Sequence, residues 1–207
     1  MSQVPQDWGI CMAGNGEAFC RGLDTAYEGV DGAHLLFEYV EVGIGYCQTL
    51  SAVGEYLAAV NRGIFHLHAV DVPWYCTAPI PGHRLCPIVD QVTFHLTGSR
   101  RFFQDTRLRA SFIFIDGCHG EKCVAEDFIG ASRILRPGGV IAFHDTCEKS
   151  QGQDFQPHCK TGISVREAVR KLGLLDGSRA GWKKLEETQG GPPDGRGMLF
   201  VQKNEVT

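Results

Sequence analysis

Short apolar runs rich in β-branched and aromatic residues recur along the chain at 35–42, 64–70, 92–96, 111–115 and 140–143. Each reads as a strand, because a run of four to eight such residues bounded by turn formers fits a buried β-segment. Between them apolar positions recur at helical spacing over 49–60, 121–135 and 164–172, and more weakly over 99–108. Strands alternating with helices imply βαβ units and a mostly parallel sheet. Near the end the pattern changes. Trp182-Lys183-Lys184-Leu185-Glu186 and Met198-Leu199-Phe200-Val201 flank the turn-rich stretch 190–195, which predicts an antiparallel hairpin joined to the sheet edge. A helix over 16–28 is expected within an N-terminal approach segment, 1–34, ahead of a core over 35–207.

At 207 residues, 43% of them hydrophobic, the chain suits one buried core, so a single domain over 1–207 is expected. Two irregular segments, 73–87 and 147–162, each follow a strand. Ligands in open α/β sheets bind beyond the strands' carboxyl ends, so both segments are candidate substrate walls. The formal charge of −4 leaves no basic footprint for nucleic acid and favours a small-molecule partner. No apolar run reaches the roughly 20 residues needed to span a bilayer, and the opening Met1-Ser2-Gln3-Val4-Pro5 lacks a signal-peptide pattern. A cytoplasmic protein without membrane contact is therefore expected. Its approach segment offers a surface on which a second copy would pack as a homo-oligomer. Nine cysteines are scattered without any Cys-x-x-Cys, and read as reduced thiols rather than a zinc centre.

Three places carry chemistry. The first is Glu41-Val42-Gly43-Ile44-Gly45, where a strand enters a glycine turn that opens a helix. Glycines there keep side chains from holding a ligand away from the backbone, and the helix start offers unpaired N–H groups. A dinucleotide fingerprint would want a third glycine where Gln48 stands, and the acid at Glu41 suits a cationic sulfonium cofactor. The bland alternative is a structural turn capped by Glu41. Next, Asp71 closes the second strand, where a carboxylate accepts ribose hydroxyls or merely serves a loop. Last, the fourth and fifth strands end in Asp116-Gly117-Cys118-His119 and His144-Asp145-Thr146. Neighbouring parallel strands would bring these acids and histidines to one cleft, as acid and base groups or as holders of a divalent cation. His119 as a helix cap, His144 as a core residue and Asp145 bonded to backbone amides remain open alternatives.

In this order, Glu-x-Gly-x-Gly, the acid after strand two, Phe-Ile-Asp-Gly-x-His and Arg-Pro-Gly-Gly-Val-Ile-Ala-Phe-His-Asp-Thr resemble the class I S-adenosylmethionine-dependent methyltransferases. The likeness is nearest to small O-methyltransferases in which Asp-Gly-x-His precedes a Tyr-Glu pair, although Glu121-Lys122 stands here. It implies a Rossmann-like, doubly wound α/β fold: a mostly parallel seven-stranded sheet with a C-terminal antiparallel hairpin. S-adenosylmethionine would be the cofactor, with Glu41, Gly43, Ile44 and Gly45 on its methionine side, Asp71 at the ribose, Gly98 and Ser99 at the adenine, and Asp116 near the methyl. Transfer would go to a small-molecule hydroxyl, with Asp116, His119 and His144 as the catalytic set. Some relatives bind magnesium at the positions of Asp116 and Asp145, joined here by His144 or Thr146. Cys47 replaces a third glycine of many relatives and would crowd the methionine tail. A nicotinamide-dependent oxidoreductase and a non-catalytic nucleoside-binding module are the competing readings.

Overall fold

The computed structural model describes residues 14–30, 36–45, 47–60, 64–73, 90–146, 165–189 and 196–205. The two predicted substrate walls, apart from Pro73, and the hairpin turn at 190–195 lie outside the described residues. The elements run α1 (Gly16–Gly29), β1 (Phe37–Val42), α2 (Gln48–Ala59), β2 (Phe65–Asp71), β3 (Val92–Leu96), α3 (Ser99–Asp105), β4 (Ala110–Ile115), α4 (Glu121–Ile134), β5 (Leu135–Phe143), α5 (Val165–Lys171), β6 (Trp182–Glu187) and β7 (Leu199–Lys203). All seven strands form one sheet in the order β3-β2-β1-β4-β5-β7-β6. The first five are parallel, and β7 pairs antiparallel with both β5 and β6. The predicted hairpin is thus continuous with the sheet, its second strand wedged between β5 and β6.

Alternation along the strands sorts the core into two layers, since successive side chains point to opposite faces. Tyr39, Phe112, Phe114, Val140, Ala142 and Phe200 meet α1 and α2 on one face. Val40, Ile113, Ile115, Ile141, Phe143 and Val201 meet α3, α4 and α5 on the other. Helices on both faces make the sheet doubly wound. The approach segment takes part: Phe19 of α1 is fully buried, its ring centroid 5.2 Å from that of Phe112 and 5.1 Å from that of Phe114. The buried side of α1 is thus part of the sheet's own core.

β5 starts earlier than its apolar run. Leu135 pairs with Ala110, and the ladder then shifts register before Val140 meets Phe112, so Arg136-Pro137-Gly138-Gly139 forms a bulge. A bulge tolerates a proline that lacks an N–H. Gly138 has φ +76°, and a Cβ there would lie 1.9 Å from the Gly29 carbonyl oxygen, so the end of α1 crosses the bulge backbone to backbone. Among the described residues no helix is long and apolar enough to cross a membrane.

From β1 the chain winds outward to β2 and β3, then returns to place β4 and β5 on the other side. The order reverses between β1 and β4, and the crevice beyond their carboxyl ends is where such sheets bind ligands.

Candidate active site

Beyond that switch point lies a cavity of about 380 Å³. Its lining includes all eight residues expected at the cofactor: Glu41, Gly43, Ile44, Gly45, Asp71, Gly98, Ser99 and Asp116. The turn after β1 is held on both sides, with Gly43 N–H donating to Val70 O (2.9 Å) and Asp116 N–H to Val42 O (2.8 Å). Gly43 is required for a reason other than ligand approach. Its φ is +84°, and a Cβ would come within 2.3 Å of the Asp116 carbonyl oxygen. Gly45, with φ +45°, has nothing within 4 Å of a Cβ and is the glycine that leaves the cavity open.

Three carboxyl groups line this space. Glu41 is 2% exposed and accepts the Tyr39 hydroxyl at 2.8 Å. Burial pushes its carboxyl well above the usual range; the Tyr39 bond opposes that shift, and Asp116 and Asp71 add repulsion. Asp71 accepts Ile44 N–H (3.1 Å) on one oxygen and Val72 N–H (2.7 Å) on the other, so it braces the glycine turn. A carboxylate offers about four acceptor positions, which leaves capacity for a ligand. Asp116 is the third. Burial would raise it, but His144 and His119 prevail and bring it down to about 2.

The ends of β4 and β5 meet as the parallel pairing requires, with His144 N–H donating to Ile115 O at 3.1 Å. His144 is 1% exposed, and its Nδ1 lies 2.9 Å from Asp116 Oδ1 and 3.3 Å from Asp145 Oδ2. Burial disfavours its charge, yet the two carboxylates outweigh that and hold its proton well above the ordinary imidazole range. His119 is different: its side chain is 25% exposed, with Nε2 3.2 Å from Asp145 Oδ2 and 3.9 Å from Asp116 Oδ1. Asp145 has φ +57°, a left-handed backbone that costs a non-glycine residue about 1–2 kcal/mol. The following residues anchor it, as Thr146 N–H donates to Gly197 O and Arg166 of α5 donates to Thr146 O (2.9 Å). Thr146 is fully buried, and its Oγ1 finds no hydrogen-bond partner among the described residues. Asp116, His144 and Asp145 present ligand atoms within 4.8 Å of one another, a set able to surround a metal ion.

A family model for the methyltransferase domain matches residues 40–146, more than half of the chain. The protein belongs to that family. No curated protein sequence matches the methyltransferase significantly. Solved structures share its fold. An rRNA methylase from Streptococcus thermophilus is 12% identical, with a TM-score of 0.56, over 89% of this chain and 95% of its own. The O-methyltransferase TomG from Streptomyces achromogenes, of tomaymycin synthesis and in complex with SAM, is 15% identical with a TM-score of 0.59, over 81% and 73%. An O-methyltransferase from Bacillus cereus in complex with SAH is 16% identical with a TM-score of 0.56, over 80% and 74%.

Two sequence expectations for the methyltransferase change here. Cys47 does not crowd the cavity: it takes the left-handed conformation (φ 60°) a glycine would supply and is 1% exposed within the α1–α2 layer. His144 is a buried residue behind Asp116, and neither it nor His119 or Asp145 lines the cavity. Asp127 of α4 went unnoticed in the sequence, although it is 2% exposed, bonds Ser99 through its side chain, and is raised by burial to about 6. The signal was there. Val124, Asp127, Phe128 and Ala131 form one helical stripe, and an acid on a buried stripe needs a partner.

Proposed function

We propose that this methyltransferase moves the methyl group of S-adenosylmethionine to a hydroxyl oxygen of a small molecule. The observation that carries the reading is a cavity with an open glycine turn on one side and Glu41, Asp71 and Asp116 on the others. Three carboxyl groups suit a ligand with a sulfonium and an ammonium group, and burial of Glu41 is relieved when such a cation enters. The lining beside Asp71, Gly98 and Ser99 suits the nucleoside end, and two structural neighbours carry SAM or SAH. When bound, the cofactor would supply a methyl carbon that the acceptor oxygen attacks in line, with the thioether S-adenosylhomocysteine as the leaving group. The protein aligns donor and acceptor, an effect worth roughly 7–11 kcal/mol of barrier. His119, at the exposed edge of the acid cluster, takes the acceptor's proton. His144 stays protonated and keeps Asp116 and Asp145 together. The net charge of −4 supports a small acceptor over nucleic acid.

Calorimetry with S-adenosylhomocysteine tests the cofactor. We expect the wild type to bind and Asp71→Ala to bind about 1.5–3 kcal/mol more weakly, the worth of a hydrogen bond to a charged group. Equal affinity in the two proteins would remove Asp71 from the site.

A divalent cation would be held by Asp116, Asp145 and Nδ1 of His144, and would lower the acceptor's pKa there. The fit is poor. A ligating imidazole nitrogen must give up its proton, whereas Nδ1 faces two acceptor-only carboxylates and needs that proton to bond them. Arg196 Nε, 3.8 Å from Asp145 Oδ1, adds further positive charge. We expect radiolabelled methyl transfer to persist after exhaustive chelation, using acceptors found by screening metabolite extracts. Loss of activity restored by magnesium would reverse this.

A further inference from the structure

The loop that carries Asp116 and His119 also carries a thiol pair. Cys118 lies between those two residues and lines the cavity, and Cys123 sits in the first turn of α4. Their sulfurs are 2.7 Å apart, well inside van der Waals contact, and both side chains are partly exposed. The other described cysteines, Cys20 and Cys47, are buried in the α1–α2 layer. Among the described cysteines, reach and access therefore coincide at one pair.

We propose that Cys118 and Cys123 form an oxidation site, closed to a disulfide by a peroxide, that weakens cofactor binding. One thiol, ionised to its thiolate, attacks the peroxide and breaks the O–O bond to leave a sulfenic acid, and the expelled hydroxide takes up the proton that thiol lost to leave as water. The second sulfur then displaces hydroxide from the sulfenic sulfur, and that hydroxide leaves with the second thiol's proton as a second water. Two thiols are oxidised, one peroxide is reduced to two waters, and one S–S bond is made. The sulfurs need to close by about 0.7 Å to reach the bonded distance of about 2.03 Å. The ring so formed contains His119, Gly120, Glu121 and Lys122. Drawing Cys118 toward α4 shifts the cavity wall at Gly117 and Cys118 and moves His119 relative to Asp145. The effect on binding rests on the cofactor reading above; the bond itself rests only on the thiol geometry.

The test treats the full-length protein with hydrogen peroxide, alkylates the remaining thiols and maps the peptides. We expect a Cys118–Cys123 linkage that a dithiol reductant reverses, and an affinity for S-adenosylhomocysteine lower by about tenfold, the worth of one lost hydrogen bond. Cys123→Ser should bind like the reduced wild type and stay insensitive to peroxide. Absence of the linkage overturns the proposal, as does a linkage that leaves affinity unchanged, or equal peroxide sensitivity in Cys123→Ser. Binding by the reduced protein is measured first. Its failure would overturn the cofactor reading, and control of binding with it, while the peptide map decides the bond separately.

Discussion

Replacing His119 by alanine should lower methyl transfer by about 10²–10⁴-fold, the usual contribution of a positioned general base. Of the two histidines beside Asp116 and Asp145, only His119 meets solvent appreciably, at 25% of its side chain against 1% for His144. A base must come within hydrogen-bond reach of the proton it removes, and since both imidazoles face Asp116 and Asp145, it is the burial of His144 that keeps it from an acceptor. His119 is absent from the cavity lining, so affinity for S-adenosylhomocysteine should stay at the wild-type level in the same variant. The pair of measurements discriminates. Unchanged turnover would strip His119 of the role, and a parallel loss of cofactor affinity would make it a structural residue of the loop.

Gly43→Ala should destabilise the unliganded protein by about 2–5 kcal/mol, combining about 1–2 for a side chain on left-handed backbone with about 1–3 for overpacking. The new methyl would press on the Asp116 carbonyl oxygen, 2.3 Å away, and on the Gly117 Cα at 2.7 Å. Both follow directly on the last β1–β4 pair, Val42 with Ile115, and Asp116 N–H is tied to Val42 O, so this backbone cannot yield cheaply. Gly45→Ala is the control: its Cβ meets nothing within 4 Å, which leaves only the conformational cost. Thermal melts should place Gly43→Ala about 4–20 °C below the wild type, at 2–4 °C per kcal/mol for a chain of this size, with Gly45→Ala much closer. Equal shifts for the two variants would show that strand crossing does not set the requirement at Gly43.

The alternation of apolar runs made the parallel sheet legible, because strands covered on both faces must be apolar at nearly every position. β1 and β4 show this directly, with Val40 and Ile113 facing one helix layer and Tyr39 and Phe112 the other. The early start of β5 was hidden because Arg136-Pro137-Gly138-Gly139 has the composition of a turn while its flanks pair with β4. In the site, motif order brought out the glycine turn and the acids at the strand ends. It could not separate His119 from His144, since their difference is burial, set by how strand ends, α5 and the segment at Gly197 converge. Nor could it foresee the thiol contact. Cys118 and Cys123 are five residues apart across a loop and a helix start, and only the local path of the backbone decides whether their sulfurs meet.

The placement of β7 also bears on how the chain assembles. β5 ends at Phe143, but its antiparallel neighbour does not begin until Leu199, and β7 lies inside the sheet rather than at its rim. During vectorial synthesis the strand leading into His144 and Asp145 therefore waits with one row of N–H and C=O groups unpaired. Such an edge is a template for pairing with another chain. The β5–β7 ladder beside His144 and Asp145 can therefore close only after Leu199 has been made, and until then β5 is the edge open to strand-mediated aggregation.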